Sequence, residues 1–228
     1  QERRLQWNDF DGTLDIGLKG GNVVLQVGQE QNQYVRNNTG ATLLNGKVVR
    51  VTGSVGQRTV VAYAQADSDA NSATTIGMLT EDIANNALGF VTTEGIVHGI
   101  DTSAFTEGDI LYLSPSTPGG VVNVKPVAPN HMILIGYCVK AHPTDGHILI
   151  KIQNGYELDE LHDVLITAVA ANNMLRRNAA NTVWENIAGP AGAVVGTTDR
   201  GGQLWVLHRP GEQTTGEQAD HRDDGDDG

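Results

Sequence analysis

Between residues 14 and 156 the chain is a succession of short apolar, β-branched runs, cut apart by glycine, proline and aspartate at spacings of roughly 8–12 residues. Residues 22–27, 48–52, 59–63, 75–79, 89–93, 96–100, 110–113, 132–135 and 147–152 each read as a strand. Turn signals stand between them at Gly53-Ser-Val-Gly56, Glu94-Gly95, Glu107-Gly-Asp109, Pro118-Gly-Gly120 and Asp145-Gly146. Residues 65–73 are polar and alanine-rich with no apolar stripe at helical spacing, and read as a loop with one helical turn. Many short strands at this spacing predict an all-β domain, a β-barrel or β-sandwich.

The texture changes after Tyr156. Residues 157–163 read as a short helix, residues 164–169 as a strand, and residues 172–178 and 182–186 as two strands joined by Ala179-Ala-Asn181. That is too little apolar material for an independent core. From Pro210 onward the chain is Gly, Gln, Glu and Asp, which cannot offset its own ordering entropy. The expected organisation is an N-terminal arm (1–13), the β domain (14–156), a strand-containing oligomerisation or linker segment (157–199) and an acidic low-complexity tail (200–228).

Charge narrows the partners. A net charge of −12 argues against nucleic acid, which needs a basic footprint, and against electrostatic docking on anionic membranes. No signal peptide and no apolar run of spanning length is present, so the expectation is a soluble chain made in the cytosol. Only 39% of residues are hydrophobic and 5% aromatic, against 28 glycines, which favours small strands and tight turns, in a repetitive β architecture or one that completes its core by oligomerising, over a large enzyme core. The single Cys138 lies in the apolar run Met132-Ile-Leu-Ile-Gly-Tyr-Cys-Val139 and reads as a buried, inert thiol.

Catalytic signatures are missing: no GxSxG, P-loop, GxGxxG, HExxH or paired CxxC occurs. The best metal candidate is His142-Pro-Thr-Asp145-Gly-His147, but Pro and Asp-Gly are also what a turn between strands requires. Asp9-Phe-Asp11-Gly12 reads as a turn before a strand. Asp223-Asp-Gly-Asp-Asp-Gly228 lacks the alternating ligands and closing glutamate of a calcium loop. Glu81-Asp82 and Glu157/Asp159/Glu160 supply carboxylate pairs, yet glycoside hydrolysis needs two such groups opposed across a sugar. Asn37-Asn-Thr39 matches a glycosylation acceptor but carries no weight without a secretion signal. No catalytic, cofactor-binding or metal residue is assigned, no cofactor is expected, and the chain is read as non-enzymatic.

Several longer stretches resemble tailed-phage virion proteins. They are Trp7-Asn-Asp, Gly12-Thr-Leu-Asp-Ile-Gly-Leu-Lys-Gly-Gly-Asn-Val23, Leu25-Gln-Val-Gly-Gln-Glu30, Gly89-Phe-Val-Thr-Thr-Glu-Gly95, Asp101-Thr-Ser-Ala-Phe-Thr-Glu-Gly-Asp109, Leu111-Tyr-Leu-Ser-Pro115, Lys125-Pro-Val-Ala-Pro129 and Asn154-Gly-Tyr-Glu-Leu-Asp-Glu-Leu-His-Asp163. The resemblance spans residues 5–199. It implies a structural protein of the virion, assembled in the host bacterial cytoplasm, forming the virion-attachment part of a tail fibre. The alternative it implies is a capsid decoration or head-fibre protein stabilising the capsid surface; a polysaccharide depolymerase ranks below both. The implied partners are a homo-oligomer, a trimer first, and other virion proteins of the tail or capsid, with residues 1–10 and 157–199 as interaction segments. Within the resembling span, Gly95-Ile-Val97 followed by Glu107-Gly-Asp109 before Leu111-Tyr-Leu113 is similar to small β-barrels on phage capsids and fibres, which implies a Gly-Asp turn that reverses the chain while the aspartate caps backbone amides. The sequence departs from the fibre pattern after Gly196-Thr-Thr-Asp199, where a short acidic end stands in place of a repetitive shaft.

Overall fold

The short β-branched runs pair as strands, and five of them close into a barrel. The computed structural model describes residues 2–189, together with the backbone of the antiparallel pair Val194–Val195 and Val206–Leu207. Residues 200–228 otherwise lie outside the described residues, as does the expected tail. Two compact units divide the chain, Gln1–Gly155 and Tyr156–Gly228. Helix is limited, among the described residues, to one α-turn, Asp69–Ser72, and one 3-10 turn, Leu158–Glu160.

The first unit opens with a meander of β1 (Leu5–Asn8), β2 (Thr13–Gly17) and β3 (Val24–Gln26). The stretch 1–13, set apart as an arm in the sequence, therefore contributes a paired strand: Trp7 faces Leu14 and Leu5 faces Ile16. The barrel follows, built of β4 (Gln31–Asn37), β5 (Val48–Val55), β6 (Arg58–Tyr63), β7 (Thr75–Leu79) and β8 (Leu88–Ile100). Its order is β8-β4-β6-β5-β7, closing back onto β8, and it is mixed because β4 and β6 run parallel. Val35, Val49, Val61, Leu79 and Val91 point inward, with Leu43 and Ile83 from flanking loops; all are at most 2% exposed. Leu43 and Ile83 exchange backbone hydrogen bonds of 2.9 and 2.8 Å, which fixes the two loops against each other. Each such side chain contributes about 1.5–3 kcal/mol by leaving water.

Two turns foreseen in the sequence are placed differently. Gly53 sits in a bulge of β5 with φ +156, and the reversal falls at Gly56-Gln57, both at φ near +60° (58° and 63°), the geometry of a two-residue hairpin. Glu94-Gly95 is no turn: residues 89–93 and 96–100 form one continuous strand, β8. A Cβ at Gly95 (φ +114) would lie 2.8 Å from Gln29 O and Glu30 Cα, so glycine lets the strand bend there against neighbouring backbone without ending it. The bend divides the work of β8. Leu88 to Glu94 pair with β4, whereas Glu94 to Ile100 pair with β12 (Gly146–Asn154). Beyond β12 lie β11 (Ile133–Lys140), β9 (Ile110–Leu113) and β10 (Val121–Val122).

This second sheet repeats the design of the first. Val49 pairs with Gly77 and Val48 with Met78; Leu111 pairs with Gly136 and Ile110 with Tyr137. Both pairings then skip one residue, Ile76 in the first and Ile135 in the second, before Arg50 meets Thr75 and Tyr112 meets Leu134. The turns entering the two units match as well. Gly46 N donates to Leu79 O (2.9 Å) and Gly108 N to Cys138 O (2.7 Å), while Leu79 N and Cys138 N each donate back over 2.9 Å to Lys47 O and Asp109 O. Gly77 and Gly136 each lie against the carbonyl oxygen of the next strand, Thr92 O and Leu149 O. The β5-β7-β8 unit and the β9-β11-β12 unit are thus a structural repeat.

The repeats stack. Val49, Leu79 and Val91 fill the barrel, and their equivalents Leu111, Cys138 and Ile148 fill a second core. The outward residues of the first repeat, Val48 and Met78, are 0% exposed because that second core covers them.

The second unit is described to Gly189 and, beyond it, at the pair Val194–Val195 and Val206–Leu207. β13 (Val164–Leu165) pairs in parallel with β15 (Trp184–Ala188), which pairs antiparallel with β14 (Asn173–Arg177). The strand expected over residues 164–169 is only two residues long, since Asn186 takes over the backbone at Thr167: its Nδ2 donates to Thr167 O and Thr167 N donates to its Oδ1, both at 2.7 Å. No residue from 156 to 189 is buried. With both cores inside Gln1–Gly155, a fragment of residues 1–155 is expected to unfold in one cooperative urea transition with retained near-ultraviolet dichroism; a non-cooperative transition would refute this.

Candidate functional site

The residues singled out for chemistry resolve mostly into local scaffolding. His142 Nδ1 accepts hydrogen bonds from Asp145 N (2.9 Å) and Thr144 N (3.2 Å), so this nitrogen holds the loop between β11 and β12. The Asp145 carboxylate is gripped by Lys140 Nζ, which holds its pKa below the usual carboxylate range, and lies 3.5 Å from His147 Nε2. Among the described residues no group of three or more His, Cys, Asp or Glu is arranged to hold a metal ion. Glu81 accepts from Phe90 N (3.1 Å) and Asn22 Nδ2 (3.1 Å), and Asp82 from Asn45 N (2.7 Å). Glu157 and Glu160 form a capping box on the 3-10 turn. Asp11 is tied down by Asn8 Nδ2 (2.9 Å) and Gln26 Nε2 (2.6 Å) beside the β1–β2 turn. The acidic run 223–228 lies outside the described residues.

Asn37 is fully buried and is a structural residue of the β4 exit. Its Nδ2 donates to Ala41 O and Ile83 O, both at 2.7 Å, and its Oδ1 accepts from Thr39 N (3.0 Å) and Thr39 Oγ1 (2.8 Å). The acceptor-like spelling Asn37-Asn-Thr39 is thereby explained as a turn. Cys138 is 1% exposed in the second core, and burial pushes its thiol pKa up, with Asp109 and Glu107 adding to the effect. Asp109 Oδ2 accepts from Thr106 N (3.0 Å), which caps the Gly-Asp turn and lowers the carboxyl pKa.

One titratable cluster escaped the sequence reading. The Glu30 side chain is 5% exposed, with Oε2 accepting from Gln26 N (3.2 Å) and Oε1 lying 3.8 Å from His98 Nε2. Burial above all, with Asp15 and Asp11 helping, raises the Glu30 pKa to about 7 against the pull of the Gln26 amide. His98 meets His147 edge to face at 4.4 Å between ring centres; burial and then the His147 charge lower the His98 pKa. Glu30 and His98 line a cleft of about 220 Å³ with Asn32, Thr80, Thr92 and Ile96. The pair comes from β8 and the β3–β4 connection, 68 positions apart, so nothing local in the sequence joins them.

No family model matches the chain, and no curated protein or solved structure matches it either.

The larger unsatisfied surfaces are apolar. In residues 156–189, Tyr156, Leu165, Val169, Met174 and Trp184 are all more than 40% exposed. Ile166, Val169, Met174 and Leu175 line an open groove of about 360 Å³. What holds this unit in shape is polar or aromatic: Arg176 Nη2 reaches Glu185 Oε1 at 3.1 Å, and the Arg177 guanidinium lies 5.6 Å over the Trp184 ring. This unit is a three-stranded sheet with one parallel pair and no buried residue from 156 to 189.

Proposed function

We propose that this chain is a structural protein of a bacteriophage virion, the attachment part of a tail fibre, acting through oligomeric β-interfaces, with a homotrimer as the assembly. The observation that supports this reading best is the 156–189 unit, whose apolar side chains have no core of their own in one chain. Association of this kind draws on buried area spread over many residues, not on a reactive centre. The two-core unit before it suits a part that seats on a particle, and the resemblance to phage virion proteins spans residues 5–199.

The test is to locate the protein in purified particles by cryo-electron microscopy. A few copies clustered at the tail are expected. Copies spread over the whole shell would overturn the fibre assignment in favour of a capsid decoration protein, and absence from the particle would overturn both.

A further inference from the structure

The repeat shows what a covered outer face looks like, and one of its two outer faces has no cover within the first unit. In the first repeat the outward positions Val48 and Met78 are fully buried under the second sheet. The equivalent positions of the second repeat are Ile110 and Tyr137, to which Tyr112 and Leu134 add the neighbouring pair. Ile110 is 44% exposed and the others are partly exposed. They floor a groove of about 290 Å³ that Lys125 borders.

Charge points to the occupant. Residues 110–144 contain no Asp or Glu, although the chain carries 27 of them. Lys125 is the charged residue that lines this groove, with no acid among the other lining residues, so pairing the face with the same face of a second copy would bring two lysines together. The 156–189 unit has the complementary character. It begins with Glu157, Asp159, Glu160 and Asp163, and exposes Leu165 and Met174 behind them.

We infer that the outer face of the β9-β11-β12 repeat is the docking surface for the 156–189 unit of a neighbouring copy of this chain. The inference rests on the oligomeric reading above and assigns its surfaces. The contact is heterologous, one surface meeting a different one, and such contacts close into rings, as a trimer requires. Tyr137 and Leu134 meet the apolar strands, and Lys125 meets the acidic turn.

The experiment is light scattering on the purified full-length chain and two single variants, Tyr137→Glu on the face and Leu165→Glu on the docking unit, each checked for an unchanged thermal transition. The expected results are an oligomer for the wild type and a monomer for each variant. Mixing the two variants should then produce a 1:1 dimer, because the intact face of one still accepts the intact unit of the other. Should either variant fail to fold, Lys125→Glu takes the place of the face variant and Met174→Glu that of the unit variant, and their 1:1 mixture is read the same way. A wild type that oligomerises while the variants keep its size overturns this surface and leaves the oligomeric reading standing. A monomeric wild type overturns both. Variant monomers that fail to pair on mixing overturn the heterologous arrangement.

Discussion

Gly136→Ala is expected to destabilise the protein by at least ~3 kcal/mol, seen as a large fall in urea midpoint or as loss of soluble chain. The Cβ would fall on the carbonyl oxygen of Leu149, with Leu149 C at 2.9 Å and Ile150 Cα at 3.2 Å behind it. These are backbone atoms of β12, which is held on its other side by the pairing of Leu149 with Ile96 of β8, so the strand cannot retreat without breaking a second ladder. The repeat makes the same forecast for Gly77→Ala, whose Cβ would meet Thr92 O. Gly56→Ala is the control. That position has φ +58 and nothing within 4 Å, so it pays only the left-handed conformational term of about 1 kcal/mol. Equal losses at 56 and 136 would refute the close-approach argument.

Glu30→Gln is expected to change stability in the other direction, and only at higher pH. The folded state holds the Glu30 proton up to about pH 7, whereas the unfolded chain releases it near 4.5. Native stability therefore falls as pH rises through the 4.5–7 window and stays at the lower level above it. The glutamine variant escapes that loss while its Oε1 still accepts the Gln26 amide. It should be more stable than the wild type by about 2 kcal/mol at pH 8, a figure discounted for solvent reaching the cleft, and equal to it near pH 4. His98 works from the acid side: its lowered pKa makes its contribution present above its ordinary range and lost as pH falls. Urea titrations at several pH values check both. A variant less stable at pH 8 would mean that the ionised carboxylate is favourably paired in the fold.

The all-β character, most strand positions and the helical turn near residue 69 were legible because alternating β-branched runs and turn residues act locally. Glu94-Gly95 misled for a physical reason. A glycine that ends a strand and a glycine that lets a strand pass close to another backbone have the same local spelling, and only Gln29 and Glu30, some 65 positions away, separate them. Composition allowed a repetitive β architecture, but which positions repeat was hidden for a related reason. Its equivalent positions hold Val49 and Leu111, Leu79 and Cys138, Val91 and Ile148, which are interchangeable as apolar volume but not as letters. What persists is Gly46 with Gly108, Ile76 with Ile135, and Gly77 with Gly136, the residues backbone geometry demands. The Glu30–His98 cluster had no local signature at all. Asn37 had one, set aside for want of a secretion signal, and it is ambiguous because a buried Asx turn and a glycosylation acceptor share their first and third residues.

Strand β8 has a mechanical consequence. Its thirteen residues are hydrogen-bonded into the barrel at one end and into the second sheet at the other, with only the bend at Gly95 between. A force that tries to part the two cores cannot peel one ladder open bond by bond. It must strain the covalent backbone of β8 or slide whole ladders past one another, a shearing that ruptures many bonds at once. The two cores should therefore yield together or not at all, as one stiff body.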